Sequence, residues 1–176
     1  KDILGPYFLP GAPFRGKVTP PLEPGNLLVI RGRVWGHDTR KPVTNAILDV
    51  WQADTQGRYD LADTRKPPAW SEFKNRIRLV TDETGYYEYE TIKPGAYRIG
   101  PNRQDFRPAH IHYMIQAPGY QKLITQLYFQ GDPLIANDRW ASKSNLVIPL
   151  VKTKSAHGTY QQGTFDIVLA RGKEGS

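Results

Sequence analysis

The sequence contains no cysteine, which excludes a disulfide framework, a thiolate metal site and a cysteine nucleophile together. Any metal held by this chain must take its ligands from His, Tyr, Asp or Glu. No stretch approaches the roughly eighteen consecutive apolar residues of a membrane-spanning helix. The opening KDILGPYFLPGAP also lacks the apolar core of a signal peptide. A soluble, cytoplasmic chain without a membrane partner is therefore expected. Blocks of one charge are missing too. The 24 Lys and Arg outnumber the 17 Asp and Glu and give a formal net charge of +7, but the basic residues are dispersed rather than gathered into a run. No nucleic-acid partner is expected.

What is present favours strands. The chain has 176 residues, 39% hydrophobic and 11% aromatic, with 16 Gly and 15 Pro and no break in composition. That suits one turn-rich domain over residues 1–176 with a single core. Residues 1–26 are too rich in Pro and Gly for a helix or a central strand and read as an irregular N-terminal arm. Strand-type runs follow at 27–35, 46–53, 76–81, 86–92, 96–99, 110–117, 123–129, 146–151 and 164–170, separated by turn signals such as DETG, KPG, APGY and GDP. The spacing predicts an all-β fold, a sandwich of about eight to nine mostly antiparallel strands with long loops. The segment 60–75, DLADTRKPPAWSEFKN, has no strand pattern and reads as a surface excursion.

One of these runs carries chemistry. In RPAHIHYMI, residues 107–115, His110 and His112 stand two apart, and in a strand side chains at i and i+2 share a face. Such a pair is common in solvated strands, so a metal reading depends on what else the fold supplies. Two neutral imidazoles do not neutralise a trivalent ion, so anionic ligands must come from elsewhere. A two-His-one-carboxylate triad has no local support, because positions 111 and 113 are Ile and Tyr. The chain has 10 Tyr, several of them beside turns, and phenolate is a hard anionic ligand that could serve.

Five segments in order, GPYFLPGAP (5–13), LDVWQADTQGRYD (48–60), TDETGYYEYETIKPGAY (81–97), RPAHIH (107–112) and APGYQKLITQLYFQGDP (117–133), resemble the intradiol ring-cleavage dioxygenases. That family comprises catechol 1,2-, hydroxyquinol 1,2- and protocatechuate 3,4-dioxygenases, and the resemblance runs from about residue 4 to 170. It implies non-haem Fe(III) bound by Tyr59, Tyr97, His110 and His112. It further implies a catecholic substrate and O2 as partners, and insertion of both oxygen atoms between the hydroxylated carbons to give a cis,cis-muconate. The charges of ferric iron, two tyrosinates and a hydroxide cancel, as a low-dielectric site favours. They cancel again when a catechol dianion replaces the hydroxide and one tyrosinate, which by resemblance is Tyr97.

Arg107 would stabilise negative charge developing on the ring, and Gln126 would hydrogen-bond Arg107 or orient a metal ligand. The pocket positions that match are Tyr7, Pro10, Trp51, Ile99 and Arg107. Tyr86, Tyr87, Tyr89, Tyr113, Tyr120 and Tyr128 read as sheet and core aromatics, and His37 and His157 as solvated turn residues.

The sequence also departs from the family. Catechol and hydroxyquinol enzymes carry a helical N-terminal dimerisation domain, and no such segment precedes Gly5 here, which leaves a homo-oligomer open. Protocatechuate enzymes pair two different chains and place Trp where Ile99 stands, which leaves the particular catechol open. A second reading, a non-catalytic prealbumin-like binding module, accounts for the early strands but gives RPAHIH no role.

Overall fold

A computed structural model describes residues 4–59, 68–99, 105–143, 145–156 and 158–172. Twelve strands are found among them: β1 Leu27–Gly36, β2 Ile47–Gln52, β3 Arg76–Val80, β4 Tyr86–Ile92, β5 Tyr97–Ile99, β6 Asp105–Arg107, β7 His110–Gln116, β8 Leu123–Phe129, β9 Val147–Ile148, β10 Val151–Ser155, β11 Gly158–Thr164 and β12 Ile167–Leu169. The expected all-β class is observed. Short 3-10 turns at Trp70–Glu72, Ile135–Asn137 and Ala141–Lys143 are the helical elements described. No described helix is long and apolar enough to cross a membrane.

Two five-stranded sheets face each other. One runs β10-β11-β1-β12 with β4 on the other side of β1; the second runs β3-β2-β7-β8-β9. Pairing is mostly antiparallel, but β1 takes β11 and β12 in parallel along one edge, and β8 pairs β9 in parallel. Leu28, Ile30, Val34, Tyr87 and Tyr89 of the first sheet meet Leu48, Val50, Ile77, Ile111, Tyr113, Ile115, Leu127 and Phe129 of the second in one buried cluster. β1 alternates in burial along its length, as a strand with one face on the core should.

β7 behaves differently, and the difference positions the site. Ile111, Tyr113 and Ile115 enter the core, yet His110, His112 and Met114 on the opposite face are buried as well. What covers that second face includes the arm. Leu9 and Ala12 cluster with Phe73, Phe8 packs edge-on against Trp51, and an added Cβ on Gly5 would lie 3.5 Å from the His112 ring. Proline cannot donate in a ladder, so arginines hold the arm by its carbonyls instead. Arg76 donates to Tyr7 O at 3.3 Å, Arg78 to Ala12 O at 2.5 Å, and Arg15 returns a bond to Phe73 O at 3.3 Å.

The sequence runs place most strands within a residue or two, but β6 and nearly all of β11 lie outside every expected run, and the run 164–170 narrows to β12. The expected strand 146–151 is two separate strands, β9 and β10, and the hairpin β10–β11 extends well beyond it. The segment 60–75 includes the turn Trp70–Glu72, while residues 60–67 and His157 lie outside the described residues. His37 is exposed, as expected.

Candidate metal centre and its arginine

The strand register sets four side chains in a row across the covered face of the second sheet. Trp51 pairs with Arg76 on one side and His112 on the other, and His112 pairs in turn with Gln126. One step along, His110 pairs with Tyr128. The two tyrosines of interest arrive on loops. Tyr59 ends the turn after β2, and Tyr97 opens β5, whose hairpin partner opposite Tyr97 is Arg107.

Those two loops are joined backbone to backbone. Asp54 O accepts from Gly57 N at 3.0 Å and from Gly95 N at 2.9 Å, while the Asp54 carboxylate caps Gln56 N and Arg58 N. A Cβ on Gly57, where φ is +73°, would overlap the Ala96 carbonyl oxygen, and one on Gly95 would overlap that of Thr55. The QGRY and KPGAY segments need glycine because the chains must touch there.

The result is a compact aromatic group. Tyr7 stacks on Tyr59 at 4.1 Å between centroids, Tyr59 meets Tyr97 edge-on at 5.6 Å, Tyr97 lies 5.2 Å from His110, and His110 lies 4.7 Å from His112. Trp51 stacks on His112 at 4.9 Å, nearly parallel. The Nε2 atoms of the two histidines are 3.1 Å apart. His110 Nδ1 is 2.7 Å from Pro108 O, and since a carbonyl only accepts, Nδ1 carries the proton and Nε2 turns a lone pair inward. The two Nε2 atoms thus share one position for a proton or a cation.

Electrostatics favour neutral histidines there. Burial first, then the charge of Arg107, lowers His110 to about 3, and burial and His110 push His112 well below its ordinary value. Burial, with Tyr97 next, raises the Tyr59 phenol well above its usual range. Burial also raises Tyr97, with Arg107 opposing it. The Tyr59 hydroxyl is buried without a hydrogen-bond partner among the described residues. Neutral imidazole lone pairs beside phenols that ionise only for a nearby cation form a donor set suited to a hard, highly charged metal. Two imidazole nitrogens 3.1 Å apart can also reach one ion at bond lengths of about 2.0–2.2 Å. Among the described residues no three His, Asp or Glu gather anywhere, and the ionisable oxygens described around the two imidazoles include those of the Tyr59 and Tyr97 phenols.

Arg107 is buried and held on several sides. Its Nε and Nη2 meet the Asp138 carboxylate at 2.9 and 3.2 Å, Nη2 donates to the Tyr128 hydroxyl at 2.8 Å, and the guanidinium lies 4.3 Å from the Trp140 ring centre. Nη1 approaches His110 Nε2 at 3.5 Å. Gln126 is reached through Tyr128, whose hydroxyl donates to Gln126 Oε1 at 2.8 Å. The expected direct link from Gln126 to Arg107 is therefore a relay, and Tyr128, expected to be a plain core aromatic, stands in the site. Asp138 and Trp140 were not reached by sequence reasoning either. The signal available was NDRW, an Asx-type turn placed shortly after a strand that carries a site residue. Of the pocket positions, Tyr7 and Trp51 join the group, Ile99 follows Tyr97 on the same face of β5, and Pro10 is exposed on the arm.

A family model described as dioxygenase matches residues 3–171. The chain belongs to the intradiol dioxygenase family. This family member is 34% identical over 166 residues to catechol 1,2-dioxygenase 2 of Acinetobacter lwoffii, covering 86% of this chain and 58% of that one. It is 38% identical over 186 residues to the chlorocatechol 1,2-dioxygenase of Rhodococcus opacus, covering 95% and 70%. The crystal structure of 3-chlorocatechol 1,2-dioxygenase from Rhodococcus opacus superposes with a TM-score of 0.85 at 31% identity, over 97% of this chain and 72% of that one. The chain thus spans 58 to 72% of the length of these relatives.

Proposed function

We propose that this chain is a non-haem Fe(III)-dependent intradiol dioxygenase that opens a catechol-type ring between its two hydroxylated carbons, with O2 as co-substrate, to a cis,cis-muconate-type product. The observation that carries the reading is the convergence of Tyr59, Tyr97, His110 and His112, with the histidine Nε2 atoms 3.1 Å apart. In this reading residues 1–176 form one catalytic domain, with 1–26 as an N-terminal arm whose stretch from Gly5 to Ala12 lies over the site. The prealbumin-like alternative leaves the buried Arg107–Asp138 pair and the two facing imidazoles without a task.

Ferric iron bound by these four residues would supply the positive charge that lets phenol and catechol oxygens ionise in a buried site. The remaining work falls to the chain. His110 is fixed by Pro108 O with its lone pair inward. Tyr59 stays anionic beside the positive centre, flanked by Tyr7. Tyr97, at the start of β5 opposite Arg107, takes a proton at its phenol oxygen from an incoming catechol; a phenolate with an ordinary pKa of about 10 is a competent base for it. Arg107 presents Nη1 toward the ligand side, where a preorganised cation stabilises negative charge developing on the ring. Trp51, Tyr7 and the arm exclude water, which strengthens each of these interactions.

Purified protein loaded with iron should be red-brown from tyrosinate-to-iron charge transfer and should consume O2 with one or more of catechol, hydroxyquinol, protocatechuate and chlorinated catechols. Protein that stays colourless and inert after iron loading would overturn the assignment.

A further inference from the structure

We propose that Asp138 is the positioning residue for Arg107: it selects which edge of the guanidinium faces the site. The inference rests on the dioxygenase reading for its kinetic consequences, but its geometry stands on the pairing alone.

A guanidinium carries five N–H donors in a rigid fork. Three of them are committed on the side away from the histidines. Nε goes to Asp138 Oδ2 at 2.9 Å, and Nη2 is shared between Asp138 Oδ1 at 3.2 Å and the Tyr128 hydroxyl at 2.8 Å. The two Nη1 donors are left on the inner edge, toward His110 Nε2 at a long 3.5 Å, and Arg107 also reaches the Tyr97 phenol, whose pKa, raised by burial, it lowers by charge and hydrogen bond. Arg107 and Asp138 are both buried, so neither charge is satisfied by water, and a guanidinium without its carboxylate would turn to whatever anion lay nearest. In this site that anion is a tyrosinate or the substrate itself. Asp138 therefore holds Nε and Nη2 away from the phenol oxygens and leaves Nη1 as the one edge turned toward Tyr97, His110 and charge that develops during reaction.

The same carboxylate also fixes the face of the guanidinium. Asp138 Oδ1 accepts from Trp140 N at 3.0 Å and Ala141 N at 2.7 Å, and Asp138 O accepts from Ser142 N at 3.0 Å. This turn sets Trp140 against the guanidinium at 4.3 Å. Edge and face are thus governed by one side chain, which arrives on the irregular segment after β8 rather than from a strand.

Asp138→Asn separates the two tasks, because an amide oxygen still caps the turn while the amide nitrogen faces Arg107 with a donor. For the iron-loaded protein we expect iron content and colour to be kept, kcat to fall about 10- to 100-fold, and KM to change little, the signature of an interaction made in the transition state. On an Arg107→Ala background the same substitution should cost almost nothing further. An activity-independent readout is the arginine Nε–H resonance of the metal-free protein, assigned by its absence in Arg107→Lys. It should be protected from exchange in the parent, unprotected in D138N and protected again in Asp138→Glu. Equal kcat in D138N and the parent, full additivity with R107A, or a protected Nε–H in D138N would each overturn the proposal. If D138N does not fold, D138E against the parent carries the test: a retained protected Nε–H with lowered kcat supports positioning, and parental kcat overturns it. A parent protein inert toward every catechol would sink the dioxygenase reading alone, since the exchange measurement would still decide the role of Asp138.

Discussion

Tyr59 is a residue whose cost and use have opposite signs. Its hydroxyl is buried and has no hydrogen-bond partner among the described residues, and leaving such a group unsatisfied costs about 1–3 kcal/mol. Tyr59→Phe should therefore stabilise the metal-free protein by up to that amount in urea unfolding. The same variant should lose iron affinity at least about tenfold and release one proton fewer per iron bound, since the phenol must deprotonate to bind. A destabilised metal-free Y59F would contradict the first expectation, and unchanged proton release the second. Tyr59 was legible in the sequence because it sits in a local segment, QGRYD, as Tyr97, Arg107, His110 and His112 sit in theirs. Asp138 was not, because its partner lies 31 residues away and the pairing depends on how the chain turns after β8, which no periodicity records. Tyr128 is the buried sheet aromatic expected, and the use of its hydroxyl between Arg107 and Gln126 was not legible for a related reason. Period two places it on the face of Gln126 rather than Leu127 and Phe129, but only the burial of both faces of β7 and β8 reveals that this face is a site and not solvent.

At the scale of elements, the loops bearing Tyr59 and Tyr97 act as one unit, because Gly57 and Gly95 let their backbones touch. Gly95→Ala would drive a methyl into backbone atoms of Thr55 and Gly57 rather than into a movable side chain, with strain of about 1–3 kcal/mol. Iron affinity should drop while the two sheets remain folded, so far-ultraviolet dichroism should be unchanged and colour lost. Retention of full colour in G95A would show that the loops need no contact. The strand pair β2–β3 under the arm makes a separate prediction. Asp49 lies opposite Arg78 on the face away from the core, and burial raises its carboxyl to about 6, with Arg78 and Lys122 opposing the rise. Between its ordinary value of 3.8 and about 6, the folded protein keeps a proton that the unfolded chain has released. Its contribution to stability is therefore full below pH 3.8 and is lost as pH climbs through 6. Asp49→Asn should match the parent near pH 4 and exceed it by about 1–3 kcal/mol at pH 7.5, measured by urea unfolding at both values. The strands themselves were largely legible, since alternation and turn signals are local. The hairpin β10–β11 was not, because KTKSAHGTYQQGT has almost no apolar residue to mark a face and its pairing to β1 is long-range and parallel.

At the scale of the whole molecule, the excess of 24 basic over 17 acidic residues gives a field that no single contact expresses. A positive surface raises the encounter rate of anions, and salt with a Debye length of about 10 Å at 0.1 M removes most of that advantage. A neutral catechol has no such term, whereas a carboxylated catechol does, and both would meet the same iron, the same Arg107 and the same Tyr97. Comparing them within one protein therefore cancels any effect of salt on the chemistry or on the fold. For the dioxygenase proposed here, kcat/KM for a carboxylated catechol should fall several-fold between about 10 mM and 500 mM salt, while that for catechol itself stays level. The fall should appear in kcat/KM and not in kcat, because steering acts before the substrate is bound. Parallel behaviour of the two substrates would mean that the positive charge lies away from the mouth of the site, and that the net charge has no part in choosing which catechol the protein takes.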